Sequence, residues 1–157
     1  MCEWSYSIVD HCCIGREVVF ISFSFSDGLL SKFRCNKFQY KLVAMTSLYL
    51  AIKLNSKKKV KVASFADLSC DCFSSSDIES MEKTILSALS WEVHPPLPCT
   101  FISYMIKLFT PNISLDMDFI RDISIYLIEL SVYDYFFVSI DSSSIAIASV
   151  LSAIDIH

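Results

Sequence analysis

Leu42-Val-Ala-Met-Thr-Ser-Leu-Tyr-Leu-Ala-Ile-Lys-Leu54 carries a single charge, at Lys53, and spreads its apolar side chains around nearly every face of a helix rather than along one stripe. A helix that is oily all round has no face to give to water and is stable only when other helices enclose it. The periodic pattern reaches upstream to Lys37, so the segment predicts one long helix inside a bundle. A membrane span is not predicted. The apolar part, Leu42 to Ile52, contains Thr46 and Ser47 and falls well short of the roughly 20 residues needed to cross a bilayer.

The flanking sequence supplies candidates for the cover. Residues 2–13 read as a short amphipathic helix, with Trp4, Ile8 and Val9 at helical spacing and a break at Gly15. The stretch Glu17 to Asp27 is ambiguous, because its β-branched residues and the alternation after Ile21 favour a strand locally. The surrounding helical pattern decides it as helix. Beyond Leu54 lies a polar, basic loop, Asn55-Ser56-Lys57-Lys58-Lys59, then a shorter helix from about Val62 to Cys70. Ser76-Asp77-Ile78-Glu79 fits a capping box and opens a helix whose stripe is Ile78, Met81, Ile85 and Leu89, with Glu79 placed to pair with Lys83.

His94-Pro95-Pro96-Leu97-Pro98 ends that helix, since prolines lack the backbone donor and push preceding residues into extended conformations. A boundary there divides the chain into domains 1–94 and 95–157. Helical patterning then restarts with Phe101, Ile102, Met105, Ile106 and Phe109, stopped by Thr110-Pro111-Asn112. Ser114, Asp116 and Asp118 suit the start of another helix striped by Phe119, Ile123, Leu127 and Leu130. After the aromatic run Tyr133-Asp-Tyr-Phe-Phe137, Asp141 is placed to cap a last helix, Ser142 to Ile154, rich in Ala, Ile and Ser and suited to close packing.

Bulk composition agrees with an all-α chain. Of 157 residues 54% are hydrophobic and only two are Gly and four Pro, too few for the many tight turns of a sandwich or barrel. A charged fraction of 19% and a net charge of −4 exclude a disordered tail and a broadly basic nucleic-acid binder. Cys2, Cys12, Cys13, Cys35, Cys70, Cys72 and Cys99 form no CxxC pair, and are read as reduced thiols of an intracellular protein, packed as small apolar residues. Met1-Cys2-Glu3-Trp4 does not open like a signal peptide. For an enzyme the chain offers little: His11, His94 and His157 are far apart, with no HExxH pair and no phosphate-binding glycine loop. Asp67, Asp71 and Asp77 read as solvated loop residues rather than metal ligands. No cofactor, metal, small-molecule substrate, membrane or nucleic-acid partner is expected.

Four stretches resemble the cyclins, in particular the large cyclin set of diatoms and related algae: Glu3 to Asp10, Leu42 to Leu54, Ile78 to Trp91, and Pro98 to Phe109. The second and third are similar to the third and fifth helices of the cyclin box. Leu130 to Phe137 and Ser143 to Ser149 are more weakly similar to the second repeat. The resemblance implies a cyclin-like five-helix bundle followed by an incomplete second cyclin-like repeat, apparently truncated at both ends and without the upstream Met-Arg-x-x-Leu docking motif. It implies a non-catalytic regulator that binds and activates a cyclin-dependent protein kinase, in the nucleus or cytoplasm. By the same resemblance Lys53 and Glu82 would hydrogen-bond the backbone of the kinase's mobile helix, with Leu54, Leu86 and Trp91 as apolar contacts around them. Trp4 and Lys41 would be what is left of a substrate-docking groove.

Each of these residues also has a plain structural reading. Lys53 is a cation at a helix C-terminus, Glu82 a solvated helical acid, and Leu54, Leu86 and Trp91 candidates for core. Three departures from the family bear on function. Gly28 stands where an arginine is usual after the aspartate, Asn55-Ser56-Lys57 replaces acids, and Lys41 replaces a glutamine common in the groove. The alternative is a cyclin-fold transcription adaptor, for which Lys57, Lys58, Lys59 and Lys61 form the only basic cluster, itself read first as a solvated loop or a targeting signal.

Overall fold

The computed structural model describes residues 1–57, 59–70, 72–109 and 116–157, and among them all regular structure is helical. The order is α1 (Cys2–His11), α2 (Glu17–Leu30), α3 (Lys37–Asn55), α4 (Val62–Leu68), α5 (Ser75–Ala88), α6 (Pro98–Phe109), α7 (Met117–Ser131), a 3₁₀ turn (Tyr135–Ser139) and α8 (Ser142–Ile156). No helix among the described residues is long and apolar enough to cross a membrane. The chain forms two compact units, Met1–Pro95 and Pro96–His157.

In the first unit every residue of α3 from Val43 to Ile52 is buried. Helices α2, α4 and α5 pack against it, and α1 packs on α2. Phe25, Leu48, Leu50, Ile52, Phe65, Ile78 and Ile85 are the large side chains sealed into this core. The ambiguous segment is helical throughout: α2 buries Val18, Val19, Ile21, Phe25 and Leu29, together with Ser22 and Ser26. Those serines do not expose unpaired hydroxyls to oil. Ser22 Oγ donates to the Val19 carbonyl at 2.8 Å and Ser26 Oγ to the Ser22 carbonyl at 3.1 Å. Gly28, near the end of α2, lets α5 come close, because a Cβ there would lie 2.5 Å from Leu89 Cδ2. Beside it Asp27 makes no hydrogen bond or ion pair among the described residues, and burial pushes its carboxyl above its ordinary pKa.

Local chemistry sets the helix ends, with two differences from expectation. The α5 cap is Ser74, two residues before the predicted one. Its Oγ accepts from the Asp77 amide at 3.2 Å, while the Asp77 carboxylate accepts from the Ser74 amide at 2.8 Å. Asp is short, but it reaches back across three residues as Glu does in the commoner box. The same reciprocal arrangement joins Asn36 and Gln39 at the start of α3. At the C-termini of α1, α4 and α5 the chain turns left-handed without glycine, at Cys13 (φ 50°), Cys70 (φ 52°) and Ser90 (φ 53°). This is one reason the cysteines do not pack as expected. Among the seven, Cys13, Cys70 and Cys72 are exposed and the other four only half-buried.

The second unit packs α6, α7 and α8 mutually around Ile102, Ile106, Ile120, Ile128, Ala146, Val150 and Ala153. Here the predicted α7 stripe is turned by one residue. The buried face is Ile120, Ser124, Ile128 and Ser131, whereas Phe119 and Leu130 are exposed. Serine makes this possible, since Ser124 Oγ donates to the Ile120 carbonyl at 2.6 Å and Ser131 Oγ to the Ile128 carbonyl at 2.7 Å. Asp116 caps α7 by accepting from the Asp118 and Phe119 amides, both at 3.1 Å. Asp141 stands at the α8 N-cap, but among the described residues its side chain makes no cap hydrogen bond. The expected helix stop at Thr110-Pro111-Asn112 and the start at Ser114 lie outside the described residues.

Two predictions follow from buried groups and backbone. Thr46 Oγ1 and Ser47 Oγ are buried in α3 with no hydrogen-bond partner among the described residues, so Thr46→Val and Ser47→Ala should each raise stability by about 1 kcal/mol, read as a higher urea midpoint at unchanged slope. Ser90→Gly should add about 0.5–1 kcal/mol by removing the left-handed strain, measured the same way.

Candidate functional site

The C-terminal turn of α3 emerges from the core at Lys53 and meets the middle of α5 at Glu82. Lys53 Nζ donates to Glu82 Oε1 at 2.6 Å, bridging two helices 29 residues apart in sequence. The pair is asymmetric. The Lys53 side chain is 48% exposed and that of Glu82 only 13%. Lys53 also lies over the Tyr49 ring, 5.6 Å from its centroid, and Tyr49 in turn stands edge-on to Phe65 of α4 at 5.4 Å. An aromatic face one turn below the lysine adds cation–π attraction. The Glu82 hydrogen bond holds Lys53 above its ordinary pKa, against a smaller opposing effect of burial. A group raised in the folded state keeps its full contribution below its unfolded value of about 10.5 and loses it only above that, so the lysine is charged throughout the physiological range.

The expected apolar residues separate into two kinds. Leu54 is 42% exposed and Trp91 72%, whereas Leu86 is 9% exposed and belongs mainly to the core. Trp91 is placed by a Schellman turn ending α5: its amide donates to the Leu86 carbonyl at 3.0 Å and that of Ser90 to the Ser87 carbonyl at 3.1 Å. Trp91 itself has φ 63°, a left-handed conformation uncommon for a bulky residue. Lys32, from the segment after α2, donates to the Ala88 carbonyl and satisfies one of the acceptors at this helix end. Tyr49 and Lys32 were not singled out in the sequence. Tyr49 was detectable as the i−4 neighbour of Lys53, but nothing local points Lys32 at residue 88.

The remaining candidates are not gathered here. Trp4 is half-buried on α1 and Lys41 exposed on α3, and no hydrogen bond, ion pair or ring contact joins them. Glu79 and Lys83 form no ion pair among the described residues. Asp71, one of the acids weighed as a metal ligand, lies outside the described residues, and no cluster of three or more His, Cys, Asp or Glu among those described could hold an ion.

Chemically, the pair offers a donor and an acceptor side by side. Nζ has three protons and one carboxylate oxygen is already used, which leaves two N–H donors and one oxygen for a partner's carbonyls and amides. Models of the cyclin N-terminal domain and the cyclin C-terminal domain match residues 1–94 and 96–157. The chain belongs to the cyclin family. Among its relatives, Cyclin-A3-3 of Arabidopsis thaliana is 26% identical over 96% of this chain and 46% of its own length. The G2/mitotic-specific cyclin-B2 of Oryzias luzonensis is 24% identical over 94% of this chain and 37% of its own. The chain thus spans less than half the length of these two relatives. A viral cyclin from herpesvirus saimiri has the same fold, with a TM-score of 0.81 and 20% identity over 99% of this chain and 67% of that one.

An ion pair this exposed contributes little to folding. The coupling between Lys53→Met and Glu82→Gln in a double-mutant cycle should come out under about 1 kcal/mol in urea unfolding, much less than a buried pair would give.

Proposed function

We propose that this cyclin binds and activates a cyclin-dependent serine/threonine protein kinase and so takes part in cell-cycle progression. The observation that carries the reading is the Lys53–Glu82 pair, set between two helices and half-open to solvent, with Leu54, next to Lys53 in the chain, and Trp91, just past the end of α5, both exposed. Its two remaining donors and one acceptor suit the backbone of a helix end, where carbonyls and amides lack partners within the helix. Leu54 and the indole of Trp91 supply the apolar area that such a contact needs for affinity.

Activation then works by differential binding. A kinase aligns ATP only when a glutamate on its mobile helix pairs with the phosphate-binding lysine. A cyclin that binds the inward arrangement of that helix shifts the population by its preference for that state, and reversing a 1:99 balance takes roughly a 10⁴-fold preference. The cyclin makes and breaks no covalent bond. The names of the G2/mitotic-specific relatives support a cell-cycle role, and seven cysteines with no CxxC pair suit the reducing nucleus or cytoplasm.

The test is binding and phosphotransfer with a panel of cyclin-dependent kinases. Lys53→Glu and Glu82→Lys, singly and together, should weaken binding by about 100-fold or more and abolish activation, with helical circular dichroism unchanged. Activation that survives the double reversal would place the docking surface elsewhere.

A further inference from the structure

Four of the thirteen Lys and Arg residues of this acidic chain fall between Lys57 and Lys61. Lys57, Lys59 and Lys61 are exposed, and their side chains form no hydrogen bond or ion pair among the described residues, while Lys58 lies outside those residues. The fold gains nothing from Lys61, which stands at the N-cap of α4 with no acid in the first turn, where the helix dipole disfavours a cation. The segment is nevertheless tied at both ends to the docking pair. At its start the Ser56 amide donates to the carbonyl of Ile52, the residue before Lys53, at 2.9 Å. At its far end Phe65, one turn beyond Lys61, packs against Tyr49, the ring beneath Lys53 Nζ.

We propose that Lys57, Lys59 and Lys61 form a cationic rim of the docking surface and select a kinase that carries an acidic patch beside the helix engaged by Lys53 and Glu82. This rests on the docking reading above. Lysines with no partner in the free protein lose no existing pair when a partner supplies acids, and unpaired surface charge raises encounter rates with an oppositely charged surface. The effect must weaken with salt, because charges more than about 8–10 Å apart are screened at physiological ionic strength. Duplex DNA is the competing occupant, since a lysine run also suits phosphates, but the net charge of −4 works against it.

The experiment measures association and dissociation rates of the whole chain with the same kinase panel, at about 50 and 300 mM salt, for wild type, Lys53→Glu and the triple variant K57Q/K59Q/K61Q. For kinases with an acidic patch the triple variant should associate about 10-fold more slowly at low salt and about 2-fold at high salt, with dissociation changed less than 2-fold. Kinases without the patch should not distinguish it from wild type. An unchanged association rate across the panel, with Lys53→Glu still inactive, would overturn the rim and leave the docking reading standing. Wild type that binds no kinase would overturn both. Salt-sensitive retention on duplex DNA that the triple variant loses, with kinase association unaffected, would also overturn the rim, assigning the lysines to nucleic acid. The thermal midpoint of the triple variant should stay level or rise slightly, separating lost charge from lost fold.

Discussion

Enclosure of α3 is the constraint on which the first unit rests. Ten successive residues of this helix are buried, so it can exist only as the axis of a bundle, and α2, α4 and α5 are required to supply its walls. The consequence for function lies at its end. Where the helix leaves the core, the charged side chain that follows the buried run, Lys53, comes out beside α5 and is met by Glu82. The position of the cation is thus fixed by packing one turn below it, through Tyr49 and Phe65, rather than by the ion pair itself.

That division of labour leaves the pair available for the docking role proposed above. A salt bridge with a half-exposed lysine adds little to folding, so its charges are not committed to holding the bundle together. Rigid helices hold the two groups in register, and the entropy of ordering them is lost on folding rather than on docking. Trp91 shows the same principle from the other side. Its left-handed backbone is costly for a bulky residue, yet the Schellman turn and the Lys32 contact to Ala88 define the end of α5 and hold the indole outward.

Serine and cysteine separate what a one-dimensional pattern sees from what the molecule does. Counted as polar, Ser124 and Ser131 hide the face of α7 that is buried, because a serine in a helix can turn its hydroxyl onto its own carbonyls and lose its need for water. Counted as small and apolar, the cysteines seem destined for the core, yet the described ones lie at helix ends, turns and half-covered faces. Gly28 gives a third case. Read against the family it is a lost arginine, and in the structure it is the gap into which Leu89 fits, beside an Asp27 carboxyl that makes no hydrogen bond or ion pair among the described residues.

Sequence alone determined the helical class and the central place of α3, because an all-apolar helix and a 3.6-residue stripe are properties of local order, whereas Lys53 and Glu82 stand out only through the resemblance to cyclins, since by local pattern they read as a helix-end cation and a solvated acid. It also marked the lysine run, a matter of composition. Tertiary structure alone decided that Lys53 and Glu82 touch, that Leu54 and Trp91 face solvent while Leu86 does not, and that the face of α7 turns by one residue. The physical reason is that burial and pairing depend on which helix lies opposite, and residues 29 positions apart become neighbours only after the chain has folded around its axis.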